Sequence, residues 1–269
     1  MECEDIYRCL CAYLDGELDP ETTESVEEHL SWCPVCRREL ESQRTVKLLV
    51  QEQFLNITAP DYLKKRVMVE LGRAEEYRES GIQPLDLIRW GTHSAQLYNT
   101  KDDLAEVLVP YMEKGLEQNE VCMWITSEMS EGEARYALRE RIPRLEKYID
   151  SYQLQLLSYE DWYLPEGHFD MRYVLNSASK KYEQALSSGY SGLRVTGNVS
   201  WLERSDWDSF MEYENLVNSI VQNYKLLLVC VYKESKCTRD NIVDVMNTHK
   251  YVISKIDDSW RLRRSAEIE

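Results

Sequence analysis

The stretch at residues 29–36, HLSWCPVC, places one imidazole and two thiols at H-x3-C-x2-C spacing. His29 and Cys33 are four residues apart, so on a helix they lie on one face, about one turn from each other. Cys36 follows Pro34, where a tight turn brings its sulfur back toward the same point. One nitrogen and two sulfur ligands that converge in this way suit a tetrahedral zinc ion, which requires a fourth ligand.

Cys3 is the natural fourth ligand, since it begins an amphipathic helix that would pack antiparallel to the helix carrying His29. Cys9 and Cys11 compete for this role but lie further down the first helix. Five of the eight cysteines fall within the first 36 residues, which argues against ordinary isolated cysteines. Nothing in the sequence indicates an oxidising compartment, so a disulfide is the weaker interpretation. We therefore predict one structural zinc ion per chain, bound by Cys3, His29, Cys33 and Cys36.

The composition is that of a soluble globular protein, with 269 residues, 43% of them hydrophobic and 30% charged. The net charge of −16 argues against a nucleic-acid partner, because only residues 261–264 (RLRR) form a basic cluster, which we expect to be a solvated end. The N-terminus is acidic where a secretory signal would be basic, and the longest apolar run, around residues 226–232, is too short to cross a bilayer. The sequence predicts a cytoplasmic protein without a membrane partner.

The first half of the chain has helical patterns. Residues 4–14 carry apolar side chains at helical spacing and end at Asp15–Gly16, while Asp19 and Pro20 begin a second helix as its N-cap and first residue. A third helix is predicted from Arg37 to about residue 53. The turn-rich residues 80–84 (SGIQP) mark the predicted boundary between a zinc-binding helical domain with a linker helix, 1–80, and a second domain, 81–269.

Cys3, followed by YLDGELDPE and HLSWCPVCRREL, resembles the zinc-binding domain of bacterial anti-sigma factors. The resemblance implies that Cys3, His29, Cys33 and Cys36 are the metal positions and that short helices surround the zinc. It also implies a further helix, here from Pro60 to about residue 79, with Leu63, Val67 and Leu71 available to a partner's grooves. In that family the helices wrap around a group IV (extracytoplasmic-function, ECF) sigma factor and block its contacts with RNA polymerase. Some members are redox switches, and for Cys9 and Cys11 both a thiol switch and plain burial remain open.

From Trp90 onward, short apolar β-prone runs alternate with helical patterns. The predicted strands are 93–98, 120–126, 153–159, 192–198 and 225–232, and the predicted helices lie near 101–117, 131–141, 170–188, 205–222 and 238–248. This alternation predicts βαβ units with a mainly parallel sheet that is covered on both faces. The fold class is therefore a small all-α zinc-binding domain followed by an α/β domain.

The series GTHSAQLYNTKDDLAEVLVPYMEKGLEQNEVCMWITSE, YEDWYL and GLRVTGNVSWL resembles the MEDS domain, a methanogen/methylotroph sensory domain also found in a dichloromethane-responsive regulator. The resemblance covers about residues 90–260 and implies a RecA-like sheet and a sensor of small compounds. Residues 96–103 (QLYNTKDD) contain Lys101 but lack the glycines of a phosphate-binding loop, and two acids follow. We therefore predict that this domain is not an ATPase and that the protein is not an enzyme.

Several aromatic and polar residues fall at or just after predicted strand ends, where parallel sheets bind ligands. They predict an aromatic-walled pocket for a small, mostly apolar molecule, and the alternative is that the rings fill the core. The candidate residues are His93, Tyr98, Trp124, Thr126, Trp162, Thr196, Asn198 and Trp201. Cys230, Cys237 and His249, like His93, do not have the spacing of metal ligands, so structural roles are expected for them.

These features predict an anti-sigma factor that binds and inhibits a group IV sigma factor through its zinc-helix domain and is regulated by a C-terminal sensory domain for a small molecule. One alternative is a zinc-helix adaptor that docks a non-sigma regulatory protein, which is preferable if the source is an archaeon. The other is a degenerate RecA-like domain that retains nucleotide binding.

Overall fold

The computed structural model describes residues 2–55, Leu63, Val67 and residues 74–264. The chain divides into two compact units, Met1–Thr58 and Ala59–Glu269, so the division falls before the predicted boundary at residue 80. Each unit is described by itself below. Among the described helices, none is both long enough and apolar enough to cross a membrane.

The N-terminal unit contains three helices, α1 (Cys3–Asp15), α2 (Pro20–Trp32) and α3 (Pro34–Leu55). Helix α1 ends at Gly16, whose φ of 69° is accessible to glycine at little cost. Helix α2 begins as predicted, with the Asp19 carboxylate accepting a hydrogen bond from the Thr22 N–H at 2.9 Å and Pro20 in the first helical position. The third helix starts at Pro34, three residues earlier than predicted, so Cys36 lies in its first turn.

The core of this unit is small. Among the side chains that the structure describes in this unit, it comprises seven that are buried, Ile6, Leu10, Val26, Leu30, Cys33, Cys36 and Leu40. Lys47 of α3 adds a polar contact, since its Nζ donates to the Leu14 carbonyl oxygen at 2.7 Å and lies 2.7 Å from an Asp15 carboxylate oxygen. A core of this size supplies little hydrophobic stabilisation, so such a unit requires a further cross-link.

The second unit is an α/β domain with a seven-stranded sheet in its described part. The strands are β3 (His93–Tyr98), β4 (Val121–Thr126), β5 (Leu154–Ser158), β6 (Leu193–Asn198), β7 (Leu226–Lys233), β8 (Tyr251–Ile256) and β9 (Ser259–Arg264). Across the sheet they lie in the order β5-β4-β6-β7-β3-β8-β9. Strands β3 to β8 are mutually parallel and β9 runs antiparallel to β8, which confirms the predicted mainly parallel sheet. The helices are α4 (Lys101–Glu117), α5 (Glu131–Arg139), α6 (Leu145–Asp150), α7 (Tyr159–Tyr163), α8 (Met171–Ser187), α9 (Trp207–Val221) and α10 (Arg239–Thr248).

The sheet carries a hydrophobic layer on each face. Helix α4 packs on one face, where Trp124 of β4 belongs to its core. Helices α8 and α9 pack on the other, where the neighbouring residues Met123 and Ile125 are buried. Successive side chains of a strand point to opposite faces, so one buried strand serves both layers.

An antiparallel hairpin precedes the sheet, formed by β1 (Tyr77–Ile82) and β2 (Leu85–Arg89). The prediction of a helix to about residue 79 is wrong for this part of the chain, because Ile82, Leu85 and Ile88 are buried in the core with α4. Further upstream, Leu63 and Val67 are helical as predicted, and their side chains are 42% and 40% exposed. Leu71 lies outside the described residues.

The basic tail at residues 261–264 is not a solvated end but part of β9, paired with β8. Asp257 and Asp258 form the turn between the two strands with φ values of 49° and 57°. Asp tolerates this left-handed conformation better than most residues, which makes the pair a suitable two-residue hairpin turn.

Arg194 of β6 joins the hairpin to the sheet from a fully buried position. Its Nε lies 2.6 Å from a Glu120 carboxylate oxygen, and its other nitrogens donate to the carbonyl oxygens of Glu79, Ser80 and Tyr111. Gly115 permits this arrangement, since a Cβ there would lie 2.8 Å from Arg194 Cδ. A buried guanidinium is tolerated when its donors are used in this way.

We expect Arg194→Met to lower the free energy of unfolding of the α/β unit by about 3–5 kcal/mol, because it leaves the Glu120 carboxylate buried without its main counter-charge. Urea unfolding followed by tryptophan fluorescence measures this change. Arg135→Met is the matched control: Arg135 pairs with Glu146 on the exposed surface, where such pairs contribute little. Equal urea midpoints for the two variants would contradict the role given to Arg194.

Candidate metal centre and ligand cavity

The structure brings Cys3, His29, Cys33 and Cys36 together, with all four ligand atoms within 4.8 Å of one another. Cys3 Sγ lies 3.6 Å from His29 Nε2 and 3.9 Å from Cys33 Sγ. Zinc–nitrogen and zinc–sulfur bonds of tetrahedral sites imply separations of about 3.6 Å between N and S and about 3.8 Å between two S atoms. The observed distances match both values, so the four side chains fit one zinc ion.

The local fold explains this convergence. Cys3 begins α1, His29 lies in the last turn of α2, and Cys33 and Cys36 flank the start of α3. His29, Cys33 and Cys36 are buried, while Cys3 is exposed at the edge of the unit. The four side chains thus meet where all three helices come together, so a zinc ion bound there would cross-link the helices.

The two buried thiols of this cluster differ in pKa. Backbone N–H groups at the start of α3, Cys36 first, lower the pKa of Cys33 to about 6. Burial, and then the neighbouring Cys33 and Cys3, raise the pKa of Cys36 to about 12. A zinc ion bound by both sulfurs would favour the thiolate form of each.

Cys9 and Cys11 do not belong to the cluster. Cys9 packs against the small core, and Cys11 is exposed with its thiol donating to Gln43 Oε1 at 3.3 Å. The placement agrees with the sequence argument that both residues lie too far along α1. It leaves Cys11 as an accessible thiol outside the metal centre.

The structure does not bring the eight predicted pocket residues together. Tyr98 and Trp124 are buried on the α4 face of the sheet, whereas Trp162 and Trp201 belong to the opposite face. Asn198 forms an internal hydrogen bond, in which its Nδ2 donates to Tyr98 Oη at 3.3 Å. Two further members, Thr126 and Thr196, are buried at 3% and 1% exposure, and Thr126 donates to the Leu157 carbonyl oxygen. His93 lies apart, beside Glu214 and His249.

An apolar cavity of about 270 Å³ lies between the sheet and helices α8 and α9. Its walls include Met123, Val195 and Leu228 from the strands and Leu175 and Val217 from the helices. Of the predicted residues, Trp162 alone lines it in the described part of the chain. Apolar walls and this small volume are typical of a site for a small apolar molecule.

Aromatic rings close one end of this cavity. Tyr163 lines it and packs on Trp201, with the ring centroids 5.2 Å apart. Gly197 of β6 makes room for this ring, because a Cβ there would lie 2.2 Å from Tyr163 Oη. The aromatic residues that the sequence indicated therefore act partly as core and partly as one wall of a cavity. The cavity itself lies between one face of the sheet and helices α8 and α9.

The position that a phosphate-binding loop would have is occupied by a short turn and a carboxylate. Only Asn99 and Thr100 connect β3 to α4, and their N–H groups donate to the Asp103 carboxylate at 3.1 and 2.9 Å. Lys101 pairs with Glu133 instead of facing a ligand. A carboxylate in this place takes the backbone donors that a phosphate would need and repels its charge. This arrangement agrees with the sequence argument against ATP hydrolysis.

From the sequence, structural roles are expected for His93, Cys230 and His249, and Glu214 is not singled out. His93, Cys230 and His249 converge with Glu214, whereas Cys237 lies outside the group. The four come from β3, α9, β7 and the residue after α10. No short spacing connects them, so the fold alone reveals the cluster.

Comparisons with known proteins find two matches along the chain. Residues 92–250 match the model of the family described as MEDS, the methanogen/methylotroph, DcmR sensory domain. Residues 3–37 match a zinc-finger family. The two matches coincide with the α/β sheet and with the four-residue cluster of the N-terminal unit.

The N-terminal part of the chain is similar to proteins of known name. The anti-sigma factor RshA of Mycolicibacterium smegmatis is 33% identical over 72 residues, which are 27% of this chain and 71% of that protein. RshA of Mycobacterium tuberculosis is 33% identical over 73 residues, covering 27% of this chain and 72% of that protein.

Among solved structures, a KaiC-like protein of Pyrococcus horikoshii is similar to the α/β unit. Its TM-score is 0.51 at 15% identity, covering 71% of this chain and 89% of that chain. At this identity the likeness shows the fold alone, a RecA-like sheet.

We expect Cys36→Ser to lower the bound zinc by one equivalent per chain and to unfold the N-terminal helices, because the seven-residue core does not hold them without the metal. Elemental analysis gives the zinc content, and far-ultraviolet circular dichroism gives the helix content. Cys11→Ser changes an exposed thiol outside the cluster and serves as the control. Unchanged zinc in Cys36→Ser would exclude the assigned ligand set.

Proposed function

Because the chain belongs to the MEDS family of sensory domains and, through its N-terminal part, to the anti-sigma factor family, we propose that it is an anti-sigma factor with its own sensor. The N-terminal unit would bind and inhibit a group IV (ECF) sigma factor in the cytoplasm. The α/β unit would perceive a small, mostly apolar molecule. The observation that carries the proposal is the four-residue metal cluster within the stretch that is similar to RshA.

The described surface of the N-terminal unit supports a protein partner. Trp32 is 63% exposed and its ring centroid lies 4.4 Å from that of His29. Val35, the residue immediately before Cys36, is 50% exposed. Zinc at the cluster would fix both apolar side chains in place, and such exposed anchors are typical of interaction sites.

Leu63 and Val67 supply a second apolar feature on the segment after this unit. They are helical, four residues apart and both exposed, so they lie on one helix face. An amphipathic helix that places such a face in a groove is a common mode of protein recognition. Together with Leu71, they remain our proposed contacts with the sigma factor.

The apolar cavity supports the sensory role. A ligand in it would contact strands β4, β6 and β7 and helices α8 and α9 at once. The ligand would change the affinity of the chain for the sigma factor only under one condition. It must bind the conformation that binds the sigma factor and the conformation that releases it with different affinities. The closed phosphate position favours this interpretation over retained nucleotide binding.

We expect the full zinc-loaded chain to form a stable one-to-one complex with a group IV sigma factor of its source organism, measured by size-exclusion chromatography and calorimetry. The double variant Leu63→Asp and Val67→Asp should weaken binding by about 10–100-fold, because it removes two apolar anchors. Val243→Asp is the matched control, since Val243 is 42% exposed on another helix. A folded, zinc-replete chain that captures no sigma factor would favour the adaptor function instead.

We expect benzene, used as a small apolar probe, to raise the midpoint of thermal unfolding of the full chain by binding in the cavity. Ala178→Phe should abolish the shift, because Ala178 lines the cavity and the larger ring fills it. Ala137→Phe enlarges a side chain on the opposite face and should leave the shift intact. A shift of the same size in both variants would place the probe elsewhere.

A further inference from the structure

Four side chains with metal-binding atoms meet inside the α/β unit, remote in sequence from the N-terminal cluster. His93 begins β3, Glu214 lies in α9, Cys230 lies in β7 and His249 follows α10. Their ligand atoms all lie within 4.8 Å of one another. Each of the four residues is at most 8% exposed. Four convergent, water-excluded donors from four elements are more than a chance adjacency of surface acids.

The separations of the donor atoms fit a tetrahedral metal ion. His93 Nε2 and His249 Nε2 lie 3.0 and 3.2 Å from Glu214 Oε2. Cys230 Sγ lies 3.4 Å from His93 Nε2 and 3.6 Å from Glu214 Oε2. Ideal zinc bond lengths imply about 3.3 Å between two N or O donors and about 3.6 Å between S and N or O. The cluster thus has the dimensions of a zinc site.

Hydrogen bonds alone leave this cluster unsatisfied. His249 Nδ1 lies 2.8 Å from the Val245 carbonyl oxygen, which can only accept, so Nδ1 carries a hydrogen. The other nitrogen, Nε2, is buried and forms no hydrogen bond with any described residue, although it faces Glu214 Oε2. The ring therefore directs its second nitrogen at the Glu214 carboxylate from 3.2 Å. A metal ion bound by both atoms would give each of them a partner.

The contact with Val245 is also the usual support for a metal-binding histidine. Donation from one ring nitrogen to a backbone carbonyl fixes the orientation of the ring and leaves the second nitrogen free to coordinate. Glu214 adds a second requirement, because a buried carboxylate needs a counter-charge. In the part of the chain that the structure describes, the groups within ion-pairing distance of Glu214 are the two histidines.

We propose that His93, Glu214, Cys230 and His249 bind a divalent transition-metal ion of the zinc type. Two imidazoles, one carboxylate and one thiolate form a borderline donor set that suits zinc and cobalt(II) and disfavours magnesium and calcium. The Cys230 thiol loses its proton to solvent when the ion binds, so metal affinity falls as the pH is lowered. This site is additional to the N-terminal cluster and does not depend on the proposed anti-sigma function.

The location of the four residues implies a structural role for the ion. Glu214 and Cys230 also line the apolar cavity, whereas His93 and His249 line a separate polar cavity of about 490 Å³. The ion would therefore lie in the wall between the two cavities. There it would fasten α9 and the end of α10 to neighbouring strands β3 and β7, and so fix the shape of the apolar cavity.

The test measures metal content of the full chain after chelation and reloading with zinc. We expect two equivalents per chain in the wild type and one in the triple variant Cys3→Ser, Cys33→Ser, Cys36→Ser. In that background Cys230→Ser and His249→Gln should each remove the remaining equivalent, whereas Cys237→Ser should retain it. The N-terminal helices are expected to unfold in the triple variant, so near-ultraviolet circular dichroism is used to verify that the α/β unit of each variant stays folded.

If the Cys230→Ser and His249→Gln variants do not fold, loading with cobalt(II) still tests the proposed metal site. In the triple-variant background, one equivalent of cobalt(II) should give an intense tetrahedral visible spectrum with one thiolate-to-metal charge-transfer band. A wild-type chain that holds one equivalent, all of it lost in the triple variant, would overturn the proposal. So would a second equivalent that survives both Cys230→Ser and His249→Gln, or cobalt(II) without the thiolate band. The sigma-factor experiment is independent of all these outcomes.

Discussion

The α/β unit depends on one buried charge. Arg194 extends from β6 beneath α4, where its guanidinium meets Glu120 and three carbonyl oxygens. Such a group is costly to bury, and the cost is offset only when nearly every N–H has an acceptor. The interaction therefore specifies position as much as stability: it sets the depth of α4 on the sheet and holds the β1–β2 hairpin against it. Gly115, at the close approach of α4, is part of the same constraint.

Five of the six parallel strands could be predicted because burial on both faces leaves continuous apolar runs such as residues 226–232. The parallel strand β8 and the two antiparallel hairpins were not predicted. The segment of β1 at residues 77–79, YRE, is charged and half-buried. Strand β9 reads SWRLRR, in which a short alternation of apolar and polar residues is obscured by three arginines. Their strands are specified by partners elsewhere, Arg194 and α4 for β1 and the edge strand β8 for β9. Tertiary context overrides local pattern at such positions.

The two clusters of possible metal ligands differ in the same way, because one could be predicted from the sequence and the other could not. His29, Cys33 and Cys36 are close in sequence and lie at a helix junction, so local geometry predicts their convergence. His93 and His249 lie at opposite ends of the domain sequence, and only the strand order places β3 beside both β7 and β8. The eight residues of the predicted pocket lie apart in the structure for a related reason. Strand ends were inferred correctly, but a one-residue difference decides which face of the sheet a side chain occupies, as for Met123 and Trp124.

The carboxylate of Asp103 has a thermodynamic consequence for signalling. It accepts hydrogen bonds from the backbone N–H groups at the position where a phosphate-binding loop would lie, so a switch of the proposed kind, built on this domain without nucleotide hydrolysis, would work at equilibrium. Linkage then requires reciprocity: if the ligand changes sigma-factor affinity by some factor, the sigma factor changes ligand affinity by that same factor. The threshold at which the ligand is perceived would accordingly vary with the abundance of sigma factor, and detector and target would form a single coupled equilibrium.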